Sequence, residues 1–184
     1  MLRLRDIPNL ITLARIVSVV PLAWLIALEM HGWALALGLA AGASDAIDGL
    51  LAKRFGWVSR LGGVLDPIAD KLLLVSAFIV LTAQGHLPLW LLALVILRDV
   101  VIVVGGIAYH YLVASFDAAP MFVSKLNTLL QILLVLGVLA ALSITPWLQP
   151  WVTQGCIAVA VTTVISGLQY VWVYGRLAMA GGKK

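Results

Sequence analysis

Long apolar stretches, separated by short polar or proline-containing breaks, make up almost the whole chain. The longest stretch, from Leu126 to Gly175, runs for 50 residues without a charged side chain. A single helix of that length would extend about 75 Å, whereas the hydrocarbon core of a membrane is about 30 Å thick. The stretch must therefore fold back on itself, and Pro146 and Pro150 mark the break. The same pattern predicts six membrane-spanning helices, at about 9–29, 34–54, 63–83, 88–112, 122–144 and 152–174.

The distribution of basic residues predicts which side of the membrane each connection faces. The connections at 29–33, 84–89 and 145–151 contain no Lys or Arg. Nine basic residues lie in the other connections, helix ends and tails: Arg3, Arg5, Lys53, Arg54, Arg60, Lys125, Arg176, Lys183 and Lys184. Because positive residues accumulate on the cytoplasmic side, we expect both termini in the cytoplasm. Residues 1–7 are expected on the inner membrane surface, with Pro8 opening the first helix.

The composition agrees with a membrane protein and excludes several other classes. The 184 residues are 63% hydrophobic and 11% charged, and their mean hydropathy is +1.10. A typical soluble domain is about a quarter charged, so a soluble enzyme and a disordered chain are both excluded. Cys156 is the only cysteine, which excludes a disulfide scaffold. We attribute the pI near 9.5 to anchoring at the inner leaflet rather than to nucleic-acid binding. The predicted fold is one all-α membrane domain that covers residues 1–184.

Four carboxylates stand where a membrane protein should avoid them. The chain has 8 acidic residues, and Asp45, Asp48, Asp66 and Asp70 all fall within the second and third predicted helices. An Asp near the centre of a membrane helix costs about 2.5–3.5 kcal/mol, and its short side chain cannot reach the headgroup layer as Lys does. The cluster therefore indicates a functional site rather than a solvated surface.

The spacing of these carboxylates indicates what they bind. Asp45 and Asp48 share one face of the second helix, and Asp66 and Asp70 share one face of the third. Two helices joined by a short inner turn can present these faces to each other. An oxygen-only donor set suits a hard divalent cation, Mg²⁺ or Mn²⁺, which proteins usually bind together with substrate phosphates. The residues alone predict a metal–phosphate site at the cytosolic face.

The same segment resembles the signature of the CDP-alcohol phosphatidyltransferases, D-x2-D-G-x2-A-R-x8-G-x3-D-x3-D. Its eight fixed positions fall here on Asp45, Asp48, Gly49, Ala52, Lys53, Gly62, Asp66 and Asp70. Seven of the eight residues match. The departure is Lys53, which keeps the positive charge of the family's Arg but loses its planar bidentate fork.

The resemblance implies a six-helix membrane protein, usually a homodimer, that displaces CMP from a CDP-linked donor with an alcohol. It implies that the four aspartates hold two metal ions on the pyrophosphate of CDP-diacylglycerol. It also implies that Asp70 is the general base for the attacking hydroxyl. Gly49 and Ala52 would allow close approach of the cytidine nucleotide, and Lys53 and Gly62 belong to the same donor site.

Two further strings resemble phosphatidylglycerophosphate synthases and cardiolipin synthases. The start of the first helix matches P-N-x-x-T-x-x-R, and Leu65–Lys71 matches L-D-P-x-A-D-K. Asn9, Thr12 and Arg15 are spaced for one helical face, and we expect them to meet donor phosphate oxygens. The alternative is that they cap and anchor the helix at the inner surface.

Later segments favour cardiolipin synthases that use CDP-diacylglycerol. The residues implied for the acceptor are Arg60, Lys71, Arg98, Asp99, Lys125, Asn127 and Thr128. Where Asn127 stands, phosphatidylglycerophosphate synthases tend to have a second Lys, which suits the doubly charged phosphate of glycerol 3-phosphate. Alternatives remain open: Arg98–Asp99 as a structural ion pair, Lys71 as a contact to the headgroup layer, Arg60 as a helix-end anchor, and Gln131 as an interhelical hydrogen-bond donor.

The function expected is transfer of a phosphatidyl group from CDP-diacylglycerol to phosphatidylglycerol, giving cardiolipin and CMP. The nearest rival is the same chemistry with glycerol 3-phosphate as the acceptor. A rival of another class is an ion or metal transporter, which would be expected to show inverted repeats that are absent from the sequence. A third class, a non-catalytic membrane scaffold, would not explain why four aspartates are clustered within the predicted helices.

Overall fold

A computed structural model of the chain describes the backbone of residues 7–55, 62–112 and 122–181, and the side chains of residues 11–44, 65–107 and 122–176. In these ranges all regular structure is helical, as predicted. The helices are α1 (Ile7–Ala27), α2 (His31–Phe55), α3 (Gly62–Ala83), α4 (Leu89–Leu112), α5 (Phe122–Ser143) and α6 (Gln149–Gly181). A 3-10 turn, Pro146–Leu148, precedes α6.

Each predicted span corresponds to one of these helices. The ends of α1 to α5 lie within three residues of the predicted ends. The last helix differs most, because it continues to Gly181 rather than ending near residue 174. The uncharged run stops at Gly175, but nothing in the following residues breaks a helix, and Arg176 lies over the Trp172 ring at 4.8 Å. Helix α1 also begins earlier than predicted, because Ile7, which was expected on the membrane surface, already belongs to it. Residues 1–6 lie outside the described part.

The chain is an integral membrane protein. Among the residues with described side chains, three segments are long and apolar enough to cross a membrane: Leu89–Ile107, Phe122–Ser143 and Pro146–Arg176. Their hydropathies are 2.3, 2.1 and 1.8 respectively. Ile11–Ala27 is apolar but shorter, and α2 and α3 carry the motif aspartates. Six spans and cytoplasmic termini therefore stay predictions.

The chain divides into two compact units. Unit 1 contains α1, α2, α3 and residues 135–149. Within it α1 packs against both α2 and α3, and Leu22, Ile26 and Phe78 are almost completely buried. This packing fixes α1 beside the motif residues of α3.

Unit 2 contains α4, the first part of α5 as far as Leu134, and α6. Its apolar core includes Leu91, Val95 and Val159. Gly105 of α4 packs closely against α6, because a Cβ there would lie 3.0 Å from the Tyr174 ring. Small residues at this point let the two helices approach closely.

At one end of unit 1, side chains of the α1–α2 and α3–α4 connections contact each other. Glu29 has a positive φ of 59°, which ends α1 in a turn closed by a hydrogen bond from Met30 N to Leu25 O. The Gln84 side-chain amide donates to the Ile26 carbonyl at 2.8 Å. The His31 and His86 rings meet edge to face, with centroids 5.6 Å apart. The α1–α2 turn is thereby tied to the α3–α4 connection.

Candidate active site

Two side-chain pairs join α1 to α3 at the motif. The Thr12 hydroxyl donates a hydrogen bond to Asp66 Oδ1. The Arg15 guanidinium donates to Asp70 Oδ1 at 2.8 Å, which is also an ion pair. Positions 12 and 15 are three residues apart and positions 66 and 70 are four apart, so each pair lies on a facing helical stripe. Both motif carboxylates whose side chains are described, Asp66 and Asp70, therefore accept hydrogen bonds from α1.

The members of these pairs differ in exposure. Thr12 and Arg15 are buried, with 1% and 4% of their surface exposed. The Asp70 side chain is 41% exposed, although the side chain of its Arg15 partner is only 2% exposed. A buried cation thus supports a carboxylate that remains accessible to another molecule. Asp70 accordingly has a cationic neighbour, and not only the other acids expected from the sequence.

The positions of Thr12 and Arg15 refine the sequence-based prediction. Both were expected to meet phosphate oxygens of the donor, whereas in the structure they contact Asp66 and Asp70. The physical reason is that an isolated charge inside a membrane is costly, so an intramembrane Arg pairs with a nearby acid. The three- and four-residue spacings place each set of residues on one helical face, but they do not indicate which helices meet. The side chain of Asn9 lies outside the described residues.

The remaining motif residues belong to α2 and to the start of α3. Asp45, Asp48, Gly49, Ala52 and Lys53 fall on α2, and Gly62 is the first residue of α3. Their side chains, and all of Arg60, lie outside the described residues. That the acidic faces of α2 and α3 meet therefore stays a prediction.

A cleft of about 320 Å³ separates α1 from α2 beside Arg15. Small side chains leave this space open. It is lined by Ile11, Ala14, Arg15, Ser18, Leu37, Ala40, Ala41 and Ser44. Ser44 immediately precedes Asp45, so the cleft leads toward the motif on α2.

The donor chemistry of the aspartates fits a hard cation. Asp66 and Asp70 offer carboxylate oxygens from one face of α3, and the side chain of Asp70 is partly exposed. Mg²⁺ and Mn²⁺ prefer such oxygen ligands and accept substrate phosphates beside them. The described side chains alone contain no group of three His, Cys, Asp or Glu residues arranged for a metal, and Asp45 and Asp48 are not among them.

Most of the residues implied for the acceptor lie in unit 2. Arg98 is 7% exposed, and its guanidinium donates to Asp99 at 2.9 Å. It also donates to Ser124 at 2.5 Å and to Ser166 at 2.7 Å. The ion pair that the sequence left as an alternative is therefore present.

The α5 residues around Asn127 contact α6 and their own helix. The Thr162 and Thr163 hydroxyls donate to Asn127 Oδ1 at 2.8 and 2.9 Å. The Thr128 hydroxyl donates to the Ser124 carbonyl one turn earlier. Lys125 is exposed. Asn127 is thus an interhelical contact, a role that the sequence did not indicate.

Two other residues complete the comparison with the predicted site. Lys71 lies half-buried on α3, directly after Asp70. Gln131 was expected to hydrogen-bond between helices, but its Nε2 group has no partner among the described residues.

Comparison with known proteins identifies the chain. The family model of the CDP-alcohol phosphatidyltransferases matches residues 5–174, which is nearly the whole sequence. The chain belongs to the CDP-alcohol phosphatidyltransferase family. It is thus a member of an enzyme family of phospholipid biosynthesis that uses CDP-diacylglycerol, lipid acceptors and divalent metal ions.

Named relatives of this phosphatidyltransferase fall into two groups. A cardiolipin synthase (CMP-forming) of Streptomyces coelicolor is 38% identical over 108 residues, 55% of this chain and 50% of that protein. A chloroplastic CDP-diacylglycerol–glycerol-3-phosphate 3-phosphatidyltransferase of Oryza sativa is 32% identical over 187 residues, 91% of this chain and 56% of that protein. A probable phosphatidylglycerophosphate synthase of Mycobacterium tuberculosis is 31% identical over 180 residues, 92% of this chain and 81% of that protein. The chain spans about half the length of the first two relatives.

Proposed function

We propose that this protein transfers the phosphatidyl group of CDP-diacylglycerol to the terminal glycerol hydroxyl of phosphatidylglycerol, giving cardiolipin and CMP. The observation that carries the proposal is the pairing of Thr12 with Asp66 and of Arg15 with Asp70 at family-motif positions. An acid pair held in fixed positions inside a membrane protein suits chemistry on a lipid pyrophosphate.

In the proposed reaction Asp70 takes the proton from the attacking hydroxyl. The hydroxyl oxygen forms a bond to the phosphatidyl phosphorus, and the bond from that phosphorus to the bridging pyrophosphate oxygen breaks. CMP leaves with the bonding electron pair, and the hydroxyl proton passes to the Asp70 carboxylate. Arg15 positions this carboxylate through the 2.8 Å ion pair, and the 41% exposed Asp70 side chain is accessible to the acceptor.

The donor site is assigned to motif residues and to α1. Asp45, Asp48, Asp66 and Asp70 would hold two Mg²⁺ or Mn²⁺ ions. When bound, such ions neutralise the negative charge that develops on the departing CMP. Gly49, Ala52, Lys53 and Gly62 would accommodate the cytidine nucleotide, while Asn9 would reach a donor phosphate.

Phosphatidylglycerol is favoured as the acceptor by the residues of unit 2. Lys125, Asn127 and Thr128 follow the cardiolipin synthase pattern, and the Arg98 charge is compensated by Asp99. Arg60 and Lys71 are the further acceptor candidates. The second candidate acceptor is glycerol 3-phosphate, because relatives named for that chemistry match about nine-tenths of the chain.

The proposed setting is the inner membrane. Residues 1–184 would work as one catalytic domain with six spans, with both termini and the aspartates facing the cytosol. A homodimer is the proposed assembly. An ion or metal transporter is the remaining alternative of another class, and the family match opposes it.

Acceptor choice is tested with purified protein in mixed micelles that contain CDP-diacylglycerol and Mg²⁺. Labelled phosphatidylglycerol and labelled glycerol 3-phosphate are supplied in separate reactions, and the lipid products are separated. We expect label from phosphatidylglycerol to appear in cardiolipin. Consumption of glycerol 3-phosphate alone would show that the proposed acceptor is wrong while the phosphatidyl transfer stands.

A further inference from the structure

The cleft between α1 and α2 follows the axes of the two helices. Its α1 lining runs from Ile11 to Ser18, and its α2 lining runs from Leu37 to Ser44. Both sets of residues have the spacing i, i+3, i+4, i+7, so each set forms one stripe on its helix. A stripe of this extent is about 10 Å long. The cleft, which we call the α1–α2 cleft, is therefore a narrow groove between two facing stripes.

One end of the α1–α2 cleft lies at the family motif. A connection of three residues joins α1 to α2, so the two helices run in opposite directions. Ile11 and Ser44 therefore mark the same end. Ile11 is next to Thr12, which bonds to Asp66, and Ser44 directly precedes Asp45. The other end lies about two helical turns farther along, away from the motif.

The lining of the α1–α2 cleft suits hydrocarbon rather than a charged ligand. The Ser18 hydroxyl donates to the Arg15 carbonyl at 2.7 Å, and the Ser44 hydroxyl donates to the Ala41 carbonyl at 2.8 Å, so both donors are used within their own helices. The Arg15 guanidinium forms the ion pair with Asp70. The other lining side chains are those of Ile, Leu and Ala. A phosphate or a metal ion would lose its water shell here without gaining partners.

The size and opening of the cleft suit one acyl chain. Ala14 and Ala40 line the cleft and are exposed, so it opens to the surface of unit 1 between small side chains. Its volume is about 320 Å³. Each leaflet contributes about 15 Å to the hydrocarbon core of a membrane. A cleft about 10 Å long therefore holds the greater part of a chain that starts at the motif.

The position of the cleft indicates which lipid supplies the chain. The proposed function places the pyrophosphate of CDP-diacylglycerol at the motif aspartates. The diacylglycerol of this donor is joined directly to that pyrophosphate, so its chains leave the motif toward the hydrocarbon. The α1–α2 cleft begins at this point and runs away from it, whereas a lipid of the surrounding membrane has no such connection to the motif.

We propose that the α1–α2 cleft binds one acyl chain of the CDP-diacylglycerol donor. This inference rests on the proposed function and adds to it a subsite for the hydrocarbon part of the donor. Ala40 thereby becomes a specificity-determining residue, because its small side chain keeps the cleft open.

The first test fills the cleft with Ala40→Leu and compares two donors, dipalmitoyl and dibutanoyl CDP-diacylglycerol. We expect the ratio of kcat/KM for the dipalmitoyl donor to that for the dibutanoyl donor to fall about tenfold, the effect of losing the burial of about two methylene groups. The kcat/KM for the dibutanoyl donor should stay at the wild-type value, because its short chains end near the motif. This value also shows that the variant is folded.

Ala36→Leu is the matched control for this test. Ala36 is also exposed on α2 but does not line the cleft. The ratio for the two donors should therefore equal that of the wild type.

The second test locates the chain by photolabelling. Wild-type protein in phosphatidylcholine nanodiscs is irradiated with CDP-diacylglycerol that carries a diazirine in the middle of one acyl chain, or with phosphatidylcholine that carries the same group. We expect the donor probe to label residues 11–18 and 37–44, and excess unlabelled CDP-diacylglycerol to remove this label. The phosphatidylcholine probe should label these residues more weakly.

The outcomes separate this inference from the proposed function. An unchanged donor ratio in Ala40→Leu, or donor label that falls outside the cleft, overturns the inference while CMP release by the wild type stands. Equal labelling by the phosphatidylcholine probe also overturns it, because the occupant is then a lipid of the surrounding membrane. A wild type that releases no CMP from either donor overturns both.

Discussion

Arg15 has an unusual place for a charged residue in a membrane protein. It lies within α1 rather than at a helix end, its side chain is 2% exposed, and it contacts Asp70 at 2.8 Å. Thr12 makes the equivalent contact to Asp66 one turn earlier on the same helix. The two carboxylates thus obtain partners from α1 without losing their access to ligands.

Removing the Arg15 charge tests this arrangement. We expect Arg15→Met to lower the free energy of unfolding by about 1.5–3 kcal/mol, the range for a hydrogen bond to a charged group. We expect a value at the lower end of this range, because the Asp70 side chain is 41% exposed and solvent weakens the ion pair. Arg15→Lys keeps the positive charge but not the planar guanidinium group, so the free energy of unfolding should fall by less than in Arg15→Met.

Thermal unfolding in detergent and CMP release check both variants. Arg176→Met is the control for CMP release, since Arg176 is exposed on α6, and it should release CMP at the wild-type rate. An Arg15→Met variant that unfolds at the same temperature as the wild type would show that the ion pair has no structural role.

At the scale of elements, the connections at one end of unit 1 contain a titratable contact. The pKa of His86 is lowered from its ordinary 6.5, first by burial and then by the neighbouring His31, while Glu29 opposes the shift. The neutral ring is therefore favoured in the folded protein. Because the unfolded chain takes up a proton more readily, this contribution to stability is complete above about pH 6.5 and is lost as the pH falls below it.

We expect the melting temperature in detergent to fall as the pH is lowered from 7 to 5, and to fall less in His86→Gln. His31→Gln should give an intermediate slope, because it removes the charge of His31 but leaves the burial of His86. Identical pH slopes in the wild type and His86→Gln would contradict this account.

At the scale of the whole molecule, much of the fold was predictable because it depends on local pattern. Apolar runs and prolines located α1 to α5 to within three residues. The C-terminal extension of α6 was missed because hydropathy reports the membrane span and not the end of the helix. The positive φ of Glu29 also escaped prediction, since such a turn usually contains Gly or Asn.

The contacts of the candidate site were not predictable from the sequence, and its metal and base chemistry stays a prediction. The spacing of Asp66 and Asp70 gave the shared helical face, and charge scarcity marked them as functional. Their pairing with Thr12 and Arg15 joins residues more than 50 positions apart. Such a pairing depends on how α1 packs on α3, and helical periodicity describes only one helix at a time.

CMP release is the measurement that tests the central claim most directly. Purified protein receives CDP-diacylglycerol, phosphatidylglycerol and Mg²⁺, and is compared with Asp70→Asn and with Glu29→Gln, which alters an exposed acid. The account predicts equal amounts of CMP and cardiolipin from the wild type and Glu29→Gln. For Asp70→Asn it predicts a loss of at least about 100-fold, with CDP-diacylglycerol still bound. Undiminished turnover by Asp70→Asn, or a wild type that releases no CMP with either acceptor, would contradict it.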